Sequence, residues 1–170
     1  MALEPQRELA DALAARYPQI TVLPVAVGDK PGKAKLRTSS AHTHLATLND
    51  SWRAQSGEPK TTWDDAQAVP VTTLQELSAR YGRPAFVKID TEGYEDRVLA
   101  GLTEAIPQLL FEIHSTLPDV ARRSFERLGE LGHYEYRVMV RESWVFGPPA
   151  TPQEILASLP PWADVYANRV

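Results

Sequence analysis

Four residues near the middle of the chain combine side chains and spacing suited to acid–base chemistry. Asp90 and Glu92 are two positions apart, and so are Glu112 and His114. Residues two apart on a strand share a face. Lys88 extends the first series and Leu110 the second. If the two segments are neighbouring strands, three carboxylates and an imidazole meet at their carboxyl ends. Such a cluster can hold a general base, orient a hydroxyl substrate, or bind a metal through oxygen and imidazole ligands. The same residues also have structural uses: Asp90 or Thr91 can cap the helix that follows, and Lys88 can pair with Glu112. Spacing alone leaves these alternatives open. His42 and His44, one residue apart, have the spacing of some metal ligands, but no third and fourth ligands stand near them in sequence, which favours a solvated loop.

The elements that must position these groups alternate between helical and extended patterns, which predicts an α/β layer fold. In open α/β sheets ligands bind beyond the carboxyl ends of the strands. Pro5 to Tyr17 reads as a helix with an apolar stripe of Leu9, Ala12, Leu13 and Tyr17, Pro5 taking the first helical position. Ile20 to Val27 reads as a strand that leaves into a turn at Gly28 and Asp29. Lys33 to Arg37 adds a short outer strand and Val69 to Val71 a brief edge strand, since Pro70 cannot donate to a central ladder. The long polar stretch between them, Thr38 to Gln67, has the character of a functional lid or a mobile segment.

Thr73 and Glu76 form a capping box ahead of Leu74, Leu77 and Tyr81. Ala85 to Asp90 then reads as a buried strand, Tyr94 to Leu102 as a helix and Leu109 to His114 as a strand. Thr116 with Asp119 starts a helix that carries Val120, Phe125, Leu128 and Leu131. The closing part has strands at Tyr134 to Val140 and Val165 to Asn168, with a short one at Trp144 to Phe146 and a capped helix at Thr151, Pro152 and Glu154. Two such strands at the end suggest an antiparallel finish to a mainly parallel sheet. Packing accounts for Trp52, Trp63, Tyr94 and Trp144, and Glu4 beside Pro5 is an acid favoured at a helix start.

Composition narrows the chemistry. The 170 residues, 43% hydrophobic and 24% charged, fit a single globular domain over residues 1–170. A formal charge of −4 gives no broad attraction for phosphate backbones or anionic lipid, so neither nucleic acid nor membrane is an expected partner. With no cysteine, there is no disulfide framework, thiolate zinc site or cysteine nucleophile. No run reaches the ~18 apolar residues of a membrane helix, and the expected setting is cytoplasmic. A homo-oligomer stays open.

The segment TTLQELSARYGRPAFVKIDTEGYEDRVLAGL, Thr72 to Leu102, resembles the signature region of FkbM-type methyltransferases, with KIDTEGYE, Lys88 to Glu95, its most specific part. Leu109 to His114 is similar to the family's next strand. Leu3, Glu4, Pro5 and then Pro24 to Asp29 resemble the ends of its second and third strands. The resemblance spans about residues 3 to 115. It implies a Rossmann-like class I methyltransferase sandwich using S-adenosylmethionine, with a methyl group passing to a hydroxyl of a sugar or secondary metabolite. By that resemblance Glu4 holds the cofactor ribose, Ala26 and Val27 lie near the adenine, and Asp90 sits beside the methionine part or the methyl. Glu92, Glu112 and His114 face the small-molecule acceptor, His114 as base, and no resident metal is implied.

The family opens with a strand, a glycine-rich turn and a helix, whereas this sequence begins at the tail of the second strand and has no GxG run. The expectation is therefore a domain lacking those opening elements, active once they are restored. Its Ala85 to Asp90 strand would then show an open edge, pair with Ile20 to Val27, or be completed by another chain. Two other readings stand beside the methyltransferase: a non-catalytic binding or assembly module descended from one, and metal-assisted hydrolysis through Asp90, Glu92, Glu112 and His114.

Overall fold

The computed structural model describes residues 1–39, 46–50, 52, 63, 65–140 and 145–170. His42, His44, Trp144 and most of the Thr38 to Gln67 stretch lie outside the described residues. Among the described residues eleven strands and five helices are defined: β1 (Ala2–Leu3), α1 (Arg7–Arg16), β2 (Val22–Leu23), β3 (Ala26–Val27), β4 (Gly32–Thr38), β5 (Ala46–Thr47), β6 (Asp65–Thr72) and α2 (Leu74–Tyr81) come first. Then follow β7 (Phe86–Ile89), α3 (Glu95–Ala100), β8 (Gln108–His114), α4 (Pro118–Leu131), β9 (Tyr134–Val140), β10 (Pro149–Ala150), α5 (Pro152–Ala157) and β11 (Trp162–Arg169).

The mixed α/β character is as expected, but the strands form three sheets and the ladders are not mainly parallel. β10-β9-β11-β8-β7 is one sheet, β3-β6-β4-β5 a second, and β1-β2 a parallel pair. Among the described residues the parallel pairs are β1 with β2, β3 with β6, and β7 with β8. All other pairings are antiparallel. The antiparallel finish is present, because β11 returns between β8 and β9 and pairs antiparallel with both.

The apolar pattern explains the main layers. β8 is almost wholly buried, with Leu109, Phe111 and Ile113 in the core. α4 buries Ala121, Phe125 and Leu128, which recur at helical spacing, against that sheet, while Val120 packs with Trp52 and Leu117. Val98, Leu99 and Leu102 add the α3 side of the same cluster. Across the helix layer, the Arg123 Nε donates at 2.7 Å to Asp96, whose side chain is buried on α3. Both predicted capping boxes form: Thr73 accepts from the Glu76 amide at 3.1 Å and Thr151 from the Glu154 amide at 3.2 Å.

Several expectations are corrected. The Ile20 to Val27 run is split by Pro24 into β2 and β3, which join different sheets, and neither pairs with β7. Lys33 to Arg37 lies within a seven-residue strand placed between β6 and β5. Val69 to Val71 belongs to an eight-residue strand with neighbours on both sides. Pro70 is tolerated there because β3 bonds only to Val71 and Thr72.

The Ala85 to Asp90 segment is not a buried strand. β7 pairs with β8 alone and ends its sheet, so Phe86 is 48% exposed and Lys88 faces solvent. Of the expected outcomes for this strand, an open outer edge is the one seen among the described residues. In α1, Gln6 is the cap residue, leaving Pro5 outside the helix; Ala10 is its buried residue, while Leu9 and Tyr17 stay exposed. α4 starts at Pro118 with Leu117 as its cap residue, so Thr116 does not cap it. No helix among the described residues is long and apolar enough to cross a membrane.

Candidate active site

β8 carries Glu112 and His114 to its carboxyl end, and the period-two reading places them on one face as expected. Both are buried, at 4% and 6% exposure, and the His114 Nε2 lies 3.0 Å from the Glu112 Oε2. Their enclosure comes from two tryptophans. The Trp162 ring, whose residue pairs with His114 across the β11 ladder, stands 5.2 Å from the imidazole, and the Trp52 ring 6.3 Å away. Burial works to lower the His114 pKa, yet the Glu112 hydrogen bond and the negative charges of Glu112, Glu95 and Glu92 outweigh it and raise the pKa.

Glu92 reaches the same place by another route. β7 stops at Ile89, so Glu92 is not a strand residue. The chain turns through left-handed backbone at Glu92 (φ 53°) and Gly93 (φ 86°), a conformation that costs a non-glycine residue about 1 kcal/mol. The turn is held by the Thr47 hydroxyl, which donates to the Glu92 carbonyl at 2.8 Å, and by the Asn49 amide, which donates to the Gly93 carbonyl. Only glycine suits position 93, because an added Cβ would stand 2.7 Å from both Leu117 and Trp52. The turn brings the Glu92 carboxylate to the Glu112–His114 pair, the three offering atoms all within 4.8 Å of one another. Burial, then the charges of Glu112 and Asp90, push the Glu92 carboxyl up to about 7.

Glu95 was not foreseen. At the first position of α3 an acid is expected to face solvent near the helix N-terminus, yet Glu95 is 1% exposed. Its Oε1 accepts from the Thr91 amide (3.0 Å), the Thr91 hydroxyl (2.9 Å) and the Gly93 amide (3.3 Å). The helix thus ties down the preceding turn, the reverse of the expected cap by Asp90 or Thr91. Burial pushes the Glu95 carboxyl up to about 7 against those hydrogen bonds. The Oε2 atoms of Glu92 and Glu95 are both buried without a hydrogen-bond partner among the described residues. The sequence signal was present in the run Thr91, Glu92, Gly93, where a turn of exposed amides needs an acceptor.

Asp90 stands apart from this buried group. It pairs with Lys88 at 2.6 Å on the surface, so the predicted Lys88–Glu112 ion pair is replaced by a Lys88–Asp90 one. Asp90 and Glu92 both line a cavity of about 440 Å³, together with Glu4, Ala26 and Val27. Glu4 is half-buried at its rim, accepting from the Gln6 amide at 2.8 Å, and burial raises its pKa against that bond. Glu4, Ala26, Val27, Asp90 and Glu92 therefore line one cavity, while Glu112 and His114 are not part of its lining and are joined to it through Glu92.

Comparison with curated proteins and with solved structures gives no significant match. The family model described as the methyltransferase FkbM domain matches residues 1–138. That match takes in the cavity, the turn at Glu92 and the end of β8, and the chain belongs to the FkbM methyltransferase family.

Proposed function

We propose that the protein is an S-adenosylmethionine-dependent O-methyltransferase acting on a hydroxyl of a small molecule such as a sugar or secondary metabolite. The observation that carries this reading is the buried Glu112–His114 pair standing behind Glu92 at the wall of the cavity lined by Glu4, Ala26, Val27 and Asp90. The order β7, β8, β11, β9 in the main sheet, with β1 and β2 as a separate parallel pair, supports a class I methyltransferase sandwich.

The residues around the cavity fit the cofactor. Glu4 offers a half-buried carboxylate oxygen suited to a vicinal diol, while Leu3, Val25, Ala26, Val27 and Leu36 give an apolar wall for a flat ring. A cavity of about 440 Å³ is within the range of cofactor sites. When bound, S-adenosylmethionine supplies an electrophilic methyl carbon. Asp90 lines the same space and would lie toward the sulfonium end.

The protein's own contribution is to hold the acceptor and receive its proton. Glu112, accepting from Nε2–H, selects the tautomer in which the His114 Nδ1 carries the lone pair. That nitrogen takes the proton from the acceptor hydroxyl, leaving the oxygen as nucleophile. Trp52 and Trp162 shield the imidazole from water.

Calorimetric titration with S-adenosylmethionine, followed by label transfer to a panel of hydroxyl compounds, tests the proposal. Glu4→Gln is expected to weaken cofactor binding about tenfold. His114→Ala is expected to leave that binding unchanged while lowering turnover about a hundredfold. A folded protein that binds no S-adenosylmethionine overturns the reading.

A further inference from the structure

Glu92, Glu95 and Glu112 all act electrostatically on one imidazole. Neither Glu92 nor Glu95 has an ion pair with a basic side chain among the described residues. Lys88, whose field reaches Glu112, is tied to Asp90 at the surface. Carboxylates buried in this way must hold protons or a cation.

We infer that Glu92, Glu112 and His114 form a binding site for one divalent metal ion of the manganese class. The atoms they offer lie within 4.8 Å of one another. Two ligands about 2.1 Å from one ion and at right angles to each other stand about 3.0 Å apart. The 3.0 Å between the Glu112 Oε2 and the His114 Nε2 has that spacing. Glu92 brings a buried Oε2 that has no hydrogen-bond partner among the described residues. Behind them Glu95, 1% exposed, has its own unpartnered Oε2 and a field that reaches both Glu112 and His114. Two carboxylate oxygens and one imidazole suit Mn²⁺ better than the all-oxygen preference of Mg²⁺ or Ca²⁺.

The site stands independently of methyl transfer and is tested without cofactor or acceptor. With the ion in place the His114 lone pair would be engaged, so the base role proposed above belongs to the metal-free protein.

The experiment is Mn²⁺ titration of the whole chain, followed by calorimetry and electron spin resonance. The expected result is one Mn²⁺ per chain with a nitrogen coupling in the spin-echo spectrum, the coupling vanishing in His114→Ala. Glu92→Gln and Glu112→Gln should each weaken binding at least about tenfold. Glu126→Gln, on the exposed face of α4, should leave it unchanged. Near-ultraviolet circular dichroism checks folding, and the more accessible Glu92 serves if Glu112→Gln does not fold. Absence of stoichiometric binding overturns the proposal, as does binding without nitrogen coupling or binding that Glu92→Gln leaves intact.

Discussion

Replacing Glu95 with glutamine should change how stability depends on pH. The carboxyl is held near 7 in the folded protein against an ordinary value of 4.5. Between these values the unfolded chain has released this proton and the folded chain retains it, so folding stability falls as pH rises. Each pH unit in that window costs about 1.4 kcal/mol, or roughly 3 kcal/mol across the whole of it. The loss is absent below about 4.5 and complete above about 7. Glutamine keeps the shape and the oxygen that accepts from Thr91 and Gly93, but it cannot ionise. Its amino group, buried where Oε2 lacked a partner, adds a fixed cost of about 1 kcal/mol that does not depend on pH. Glu92 titrates in the same direction in both proteins, so the informative quantity is the difference between them. Urea unfolding at about pH 5 and about pH 8 should show the variant gaining about 2.5 kcal/mol on the wild type over that interval. A difference that stays constant with pH refutes the assignment of a buried, protonated Glu95.

Gly93→Ala should destabilise the protein by about 2–4 kcal/mol, since the positive φ of 86° and the clash with Trp52 and Leu117 add together; differential scanning calorimetry should record a melting temperature lower by roughly 5–12 °C. Thr73→Ala removes the oxygen that receives the Glu76 amide and should cost about 1 kcal/mol in chemical denaturation, with the Thr73→Ser variant restoring most of it.

Most secondary structure was legible because its signals are local. The capping boxes at Thr73 and Thr151, the apolar face of α4 and the period-two pairing of Glu112 with His114 depend on neighbours within a few residues. What was not legible depends on partners remote in sequence. AFVKID reads as a buried strand from its apolar residues, but burial needs a ladder on both sides, and among the described residues β7 has one only on the β8 side. Lys88 feels three acids, Asp90, Asp164 and Glu112, and the exposed Asp90 wins because pairing there desolvates neither charge fully. Glu92 was placed correctly for the wrong reason: a left-handed turn, not strand alternation, carries it to β8. Glu95 escaped notice because helix-start acids are ordinarily solvated, and only the fold shows that Thr91 and Gly93 direct their amides inward at it.

The position of β11 between β8 and β9 bears on how the molecule is made. Strands β8 and β9 leave the ribosome first, yet in the finished sheet each bonds to β11 at seven positions and not to the other. During synthesis the polypeptide must therefore keep a slot between them until residues 162–169 arrive, a delay in which two bare strand margins are open to wrong partners. Completion of the imidazole's surroundings is postponed with it, since Trp162 opens that inserted strand, so a nascent chain halted before this point has the acids, the histidine and Trp52 but not the second enclosing ring.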